Sequence, residues 1–207
     1  MGFETYYQAI PASSELLDVA RQDLEAGEYF WSVLFMFRAP RIEHLLSGGP
    51  PIPGQVKLWH LVVEHLRTRP DLGGLNTTLD RHWDRLHFVL SAERRDESGT
   101  DEDPLIKLAI RGEDEIAEHV RGGQGVPLRY TRPETVGRIA HMLDGVRFES
   151  LRRHFTAVAM DEGSVYKHPH PAQLDDDWHA LQEYFERFRV FYGSAAKHAD
   201  GVLVHRD

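Results

Sequence analysis

The stretch Trp178-His179-Ala180-Leu181-Gln182-Glu183-Tyr184-Phe185-Glu186-Arg187-Phe188-Arg189-Val190-Phe191-Tyr192-Gly193-Ser194-Ala195 has the clearest periodicity in the chain. Trp178, Leu181, Phe185, Phe188, Tyr192 and Ala195 recur every three or four residues. A 3.6-residue turn gathers such a series on one stripe, so the spacing predicts an amphipathic helix from Trp178 onward whose stripe packs on a core. The pattern then changes to Gly201-Val202-Leu203-Val204-His205, which reads as a short strand. A long packing helix followed by a strand argues for an α+β domain in which helices cover a sheet.

Three further segments read as strands. Phe3 to Ile10 is aromatic-rich and ends at Pro11, Leu86 to Leu90 is a short apolar run, and Val126 to Tyr130 is a third. Together with the C-terminal strand they predict a small mixed sheet. Helices are expected elsewhere. Ser13 or Ser14 caps one that presents Leu16, Leu17, Ala20 and Leu24 and stops at Gly27. Glu28 to Leu46 is a mostly buried helical stretch broken at Pro40, and Val56 to Leu66 is another helix. Asp80 caps a short turn through Trp83. Thr131 and Glu134 form a capping box for a helix burying Val136, Ile139, Ala140 and Leu143. Phe148 to Met160 is helical, and Pro104 to Ile110 fits strand or helix. Residues 47–54, 70–76, 94–103, 122–125 and 161–177 read as loops. With no internal repeat and no linker, residues 1–207 are expected to form a single compact domain.

Composition narrows the function classes. A chain of 207 residues buries roughly 70% of the surface its unfolded form exposes, so it needs no covalent staples. It has no cysteine, which removes disulfides, thiolate metal sites and a cysteine nucleophile. The net charge is −9, and no Lys/Arg run exceeds two residues, so nucleic acid and anionic membranes are disfavoured partners. Residues 1–7 carry no basic segment followed by a long apolar one, so a signal peptide is not expected. The most apolar run, Tyr29 to Phe37, is too short to span a bilayer. A cytoplasmic protein is the expectation.

Three clusters carry candidate chemistry. Asp80, His82, Trp83, Asp84 and His87 put carboxylates near imidazoles, the pairing that orients a histidine for general-base work. The competing reading makes Asp80 a cap and Trp83 with Phe88 core. His60, Glu64 and His65 approximate a zinc-binding H-x-x-E-H pattern with one residue too many. On a helix His65 points about 100° away from Glu64, which breaks the clamp. His168, His170 and His179, with Asp175, Asp176 and Asp177, supply nitrogen and oxygen ligands suited to a divalent ion. Against this, the aspartates have a plain job favouring the positive end of the following helix. There is no G-x-S-x-G elbow and no G-x-G-x-x-G fingerprint, and Gly122-Gly123-Gln124-Gly125 lacks the Lys-Ser/Thr of a P-loop. No cofactor is expected.

Several segments together resemble the YfbM-like bacterial family, domain of unknown function 1877. They are Met1-Gly2 with Tyr7-Gln8-Ala9-Ile10, and the block Leu79-Asp80-Arg81-His82-Trp83-Asp84-Arg85-Leu86-His87-Phe88-Val89-Leu90. Pro104-Leu105 with Ala109-Ile110, Arg129-Tyr130 before Pro133-Glu134, and Phe185 through Phe191-Tyr192 to Ala195-Ala196 and Val202-Leu203-Val204 complete the set. The resemblance covers most of the chain in order and implies a compact α+β domain but no reaction. Two places depart from the family pattern: Arg111-Gly112-Glu113 stands where the family has Gly-Gly, and Lys167-His168-Pro169-His170-Pro171 spreads the segment after Tyr166. The resulting expectation is a non-enzymatic, protein-binding or regulatory domain. The alternative is an enzyme or small-ligand binder with a pocket around Asp80, His82, Asp84 and His87.

Overall fold

The computed structural model describes residues 4–39, 52–98, 103–122, 124–167 and 169–206. Five strands form one sheet in the order β2-β1-β5-β4-β3, with β1 at Thr5–Pro11, β2 at Asn76–Thr78, β3 at Asp114–Glu115, β4 at Arg129–Thr131 and β5 at Asp200–Arg206. The α+β class stands. Each pairing is antiparallel, so the sheet is not mixed. The two long strands, β1 and β5, pair in register, with Tyr7 opposite Val204 and Ala9 opposite Val202.

Strand side chains alternate between faces, and here both faces are covered. Tyr7, Ala9, Val202 and Val204 point into one core with Trp178, Leu181, Phe185, Phe188 and Tyr192. Those five belong to α9 (Leu174–Lys197), the long helix expected from its spacing. Ile10, Leu203 and Tyr130 point into a second core with Phe30, Phe37, Leu58 and Val62. That layer is built from α1 (Leu16–Gln22), α2 (Leu24–Glu28), α3 (Val33–Arg38) and α4 (Pro53–Thr68). Arg69, just past α4, grips the buried Asp200 carboxylate with two hydrogen bonds of 3.2 and 3.1 Å and so fixes the start of β5.

Several local expectations are corrected. Leu86 to Leu90 is not a strand but part of α5 (Trp83–Ser98). Trp83, Leu86, Val89 and Leu90 are buried at helical spacing, a period that a five-residue window cannot separate from an apolar run. The first α-helix ends at Gln22, with Asp23 as its C-cap, rather than at Gly27. Gly27 lies inside α2, where a Cβ would meet the His119 ring at 2.3 Å, so the glycine serves close packing rather than a helix stop, and Leu24 is exposed. Thr131 does not cap α7 (Pro133–Asp144); it lies in β4, and Glu113 accepts the Arg132 amide at 3.0 Å instead. Asp80 makes no capping bond. It sits in a single 3-10 turn at φ +47°, and its carboxylate accepts the Tyr184 hydroxyl at 3.3 Å. Phe148–His154 is a 3-10 turn, followed by α8 (Ala157–Glu162). The expected break at Pro40, the helical residues to Leu46 and the loop from Ser47 to Pro51 lie outside the described residues, as do 99–102 of the expected loop 94–103.

Candidate functional site

The site is organised by α6 (Pro104–Arg111). Asp103 caps it, accepting the Leu105 amide at 2.8 Å, and Pro104 occupies the first turn, where no amide is needed. Ile106, Ala109 and Ile110 are buried. The last carbonyls of a helix have no intrahelical donor and must find one elsewhere. Here Leu108 O accepts the Gly112 amide, Ala109 O the Tyr192 hydroxyl and Ile110 O the Tyr7 hydroxyl, each at 2.9 Å. Both phenols are fully buried, and burial pushes their pKa values up, so they remain donors. Gly112 turns the chain away at φ +78°, and a Cβ there would lie 2.7 Å from Arg129 Cβ.

This anchored helix end presents Arg111 to a cleft of about 550 Å³ between α6, the β3–β4 edge and the end of β5. Lys107, Arg129 and Arg206 line it with Arg111, and its acids are Glu113 and Glu115. Both acids are already engaged. The Glu113 carboxylate accepts from Arg132 at 2.7 Å, and that of Glu115 accepts from Arg129 at 3.0 Å. Among the described residues neither Arg111 nor Lys107 has an ion pair, and Arg111 Nε is buried without an acceptor. The Arg206 guanidinium lies 4.3 Å from the centroid of the Trp83 ring. Burial first, and the Arg111 charge second, lower its pKa below the ordinary arginine value. In a chain of net charge −9, the cleft therefore concentrates surplus positive charge. Paired guanidiniums in such a place bind carboxylate or phosphate oxygens in bidentate fashion.

The residues singled out in the sequence do not gather in this way. His82 stacks on Tyr184 at 4.6 Å, and its Nδ1 is buried without a hydrogen bond. The Asp84 carboxylate accepts the Tyr166 amide at 2.7 Å, and half-buried His87 follows three residues later on α5. None of Asp80, His82, Asp84 and His87 lines the basic cleft. Asp84 does reach it electrostatically, as a favourable charge for Arg206. His65 Nε2 lies 2.7 Å from Ser14 Oγ, on the side of α4 away from Glu64's partner Arg67, so the zinc-like triplet is dispersed. His170 accepts the Ala172 amide through Nδ1, and His179 Nδ1 lies 2.7 Å from Asp175 O. Asp175 pairs with Arg152 and Asp177 with Arg85, at 2.8 and 3.0 Å. His168 lies outside the described residues. Among the described residues no group of three or more His, Asp or Glu is placed to hold a metal ion, and no helix is long and apolar enough to cross a membrane.

Sequence reading missed Lys107, Arg111, Arg129 and Arg206, which are separated by up to about a hundred positions. The one signal was the Arg111-Gly112-Glu113 departure from the family's Gly-Gly.

Comparison with known proteins agrees with the architecture. The model of a family described as a domain of unknown function, DUF1877, matches residues 1–205. Among solved structures, the chain is similar to YfbM from Escherichia coli, a protein of unknown function. The TM-score is 0.52 at 16% identity, covering 97% of this chain and 98% of that one, a likeness of fold. No curated protein matches.

Proposed function

The chain belongs to the DUF1877 family, and from that premise we propose that it is a binding domain for a small, multiply charged anion seated in the basic cleft. The ligand class is a di- or tricarboxylate or a phosphate ester. Arg111 carries the reading: a cleft-lining guanidinium at a helix end, without an ion pair among the described residues and close enough to Arg206 to disfavour its charge. The two guanidiniums disfavour each other's charge, and an anion seated in the cleft offsets that repulsion. A small ligand is favoured over a polyanion, because an extended nucleic acid would meet the rest of an acidic surface. Binding rather than chemistry fits the expectation of a regulatory domain, in which ligand occupancy changes the charge a protein partner meets. A cytoplasmic setting, on the absence of cysteine from the chain, is part of the same proposal.

Thermal unfolding tests it. Citrate, pyrophosphate and sodium chloride are compared at equal ionic strength. A ligand at a hundred times its Kd stabilises by about 2.7 kcal/mol, which raises Tm by about 5–11 °C for a domain of this size. The expected result is a shift with citrate or pyrophosphate that Arg111→Gln removes. A shift matched by chloride, or kept by Arg111→Gln, overturns the proposal. Response to citrate alone or pyrophosphate alone separates carboxylate from phosphate.

The alternative pocket at Asp80, His82, Asp84 and His87 is favoured by the unpartnered His82 Nδ1. It predicts that His82→Phe abolishes the anion response while Arg111→Gln does not, and the reverse result eliminates it.

A further inference from the structure

β2 is an edge strand, and among the described residues no strand pairs with its outer side. In its ladder with β1, Leu75 O accepts the Ala9 amide and the Leu79 amide donates to Thr5 O, each at 3.1 Å, and Thr77 stands opposite Tyr7 between them. Residues 75, 77 and 79 therefore turn their main-chain groups inward, and Asn76 and Thr78 turn theirs outward. The side chains of these two are occupied within the chain. The Asn76 side-chain amide donates to Gly73 O and the Thr78 hydroxyl to Thr5 O, each at 2.9 Å. Their outward N–H and C=O groups are a template for one more strand.

Between this edge and α9 runs a groove of about 420 Å³. Its helical wall extends from Glu186 to Ser194, with Val190 at the centre. Val190 is 62% exposed, so it offers real apolar surface. A Cβ on Gly193 would meet nothing within 4 Å, so the helix surface beside Val190 is low and open. Glu183, Val190 and Lys197 follow one another at two helical turns, which places them in a row on one face, and each is exposed. The other charges of this face are engaged. Glu186 accepts from Arg189 at 2.7 Å, and the Arg187 guanidinium lies 4.4 Å from the centroid of the Tyr184 ring. Glu183 and Lys197 have no ion pair among the described residues.

We propose that this edge and groove dock a second copy of the chain, with β2 pairing antiparallel to the partner's β2 about a two-fold axis at Thr77. Such a contact requires a surface complementary to itself. Asn76 then faces the partner's Thr78, and the outward main-chain groups of both strands are bonded. Both copies of α9 lie on the same face of the continuous sheet and run antiparallel, so Val190 meets the partner's Val190. The same axis brings Glu183, two turns before Val190, to the partner's Lys197, two turns after it. This charge match selects a second copy over an unrelated strand. It also counters the repulsion expected between copies that each carry a net charge of −9. The basic cleft lies by β3 and β4, at the opposite end of the sheet, so both anion seats stay open in the dimer and the two proposals fail separately.

Sedimentation velocity from about 1 to about 500 µM, a span suited to a small interface, tests it. Hydrogen exchange at both ends of the series reads the strand edge. The expected result is a reversible dimer, with the Asn76 and Thr78 amides protected as it forms. Val190→Lys, an exposed change that sets like charges together across the axis, abolishes it. Glu183→Lys alone, or Lys197→Glu alone, makes both symmetry-related pairs repulsive and weakens association about tenfold. Combining Glu183→Lys with Lys197→Glu restores it, and Arg111→Gln leaves it unchanged. A monomer throughout the series overturns the proposal. So does a dimer that Val190→Lys retains, one in which Asn76 and Thr78 gain no protection, or a double charge reversal that associates no better than the single ones.

Discussion

Replacing Tyr192 with Phe removes one oxygen and leaves the ring in place. The ring is fully buried against Phe188 and Phe191, with centroids 4.9 and 5.4 Å away. What is lost is the donor to Ala109 O at the end of α6. No water reaches that carbonyl by way of the packed phenyl ring, so its desolvation is uncompensated. Such a loss costs about 1–3 kcal/mol, and about 2 kcal/mol lowers Tm by about 4–8 °C at this chain length. Tyr7→Phe acts likewise on Ile110 O. The two rings lie 6.4 Å apart and serve consecutive carbonyls, so the double variant should depart from additivity. The pH dependence has a definite sign. Both phenol pKa values are raised on folding, so their contribution is present in full below the unfolded value of about 10 and is lost as pH rises through the folded value. Urea unfolding, followed by tryptophan fluorescence from pH 7 to 11, reads both effects. The double variant should lose less stability above pH 10 than wild type does. A Tyr192→Phe cost below about 0.5 kcal/mol, the scale of an ordinary surface change, would refute the carbonyl accounting, as would an unchanged alkaline slope in the double variant.

Three other outcomes follow from the structure. Gly112→Ala places a Cβ 2.7 Å from Arg129 Cβ at φ +78°, so denaturation should show a loss of at least about 1–3 kcal/mol and β4 should be displaced. Arg85→Met removes the bonds to Lys167 O and the 3.0 Å pair with Asp177. Asp177 stays partly solvated, so the cost is about 2–3 kcal/mol, with faster amide exchange over residues 163–167 as the local readout. Glu93 has a lowered folded pKa, so its contribution is present above the ordinary carboxylate value and is lost as pH falls through the folded one. Glu93→Gln should therefore flatten the fall in stability between about pH 5 and pH 3, measured by urea titration at each pH.

The parts legible in the sequence were those whose signal is local. The α9 stripe and the β5 run are visible because one helix face and one strand each meet a uniformly apolar core. The start of α9 was placed four residues late, because Leu174 to Asp177 satisfy the helix through Asp175–Arg152 and Asp177–Arg85 pairs rather than through apolar spacing. Leu86 to Leu90 misled because a short buried run has no period of its own. Thr131 offered a good cap by sequence, but pairing with Val202 drew it into the sheet, and Glu113, distant in sequence, took over the Arg132 amide. The basic cleft could not be read at all from clusters. Lys107, Arg111, Arg129 and Arg206 meet only because α6 ends where β4 and β5 run side by side.

The most direct test of the basic cleft is a calorimetric titration of citrate, and separately of pyrophosphate, into wild type and Arg111→Gln at low ionic strength. Losing one charge-assisted guanidinium contact should weaken binding at least about tenfold. The expected result is one-to-one binding of at least one of the two anions to wild type, weakened by added salt and by Arg111→Gln. No heat with either anion, or equal affinity in wild type and Arg111→Gln, would contradict an anion seat at the end of α6.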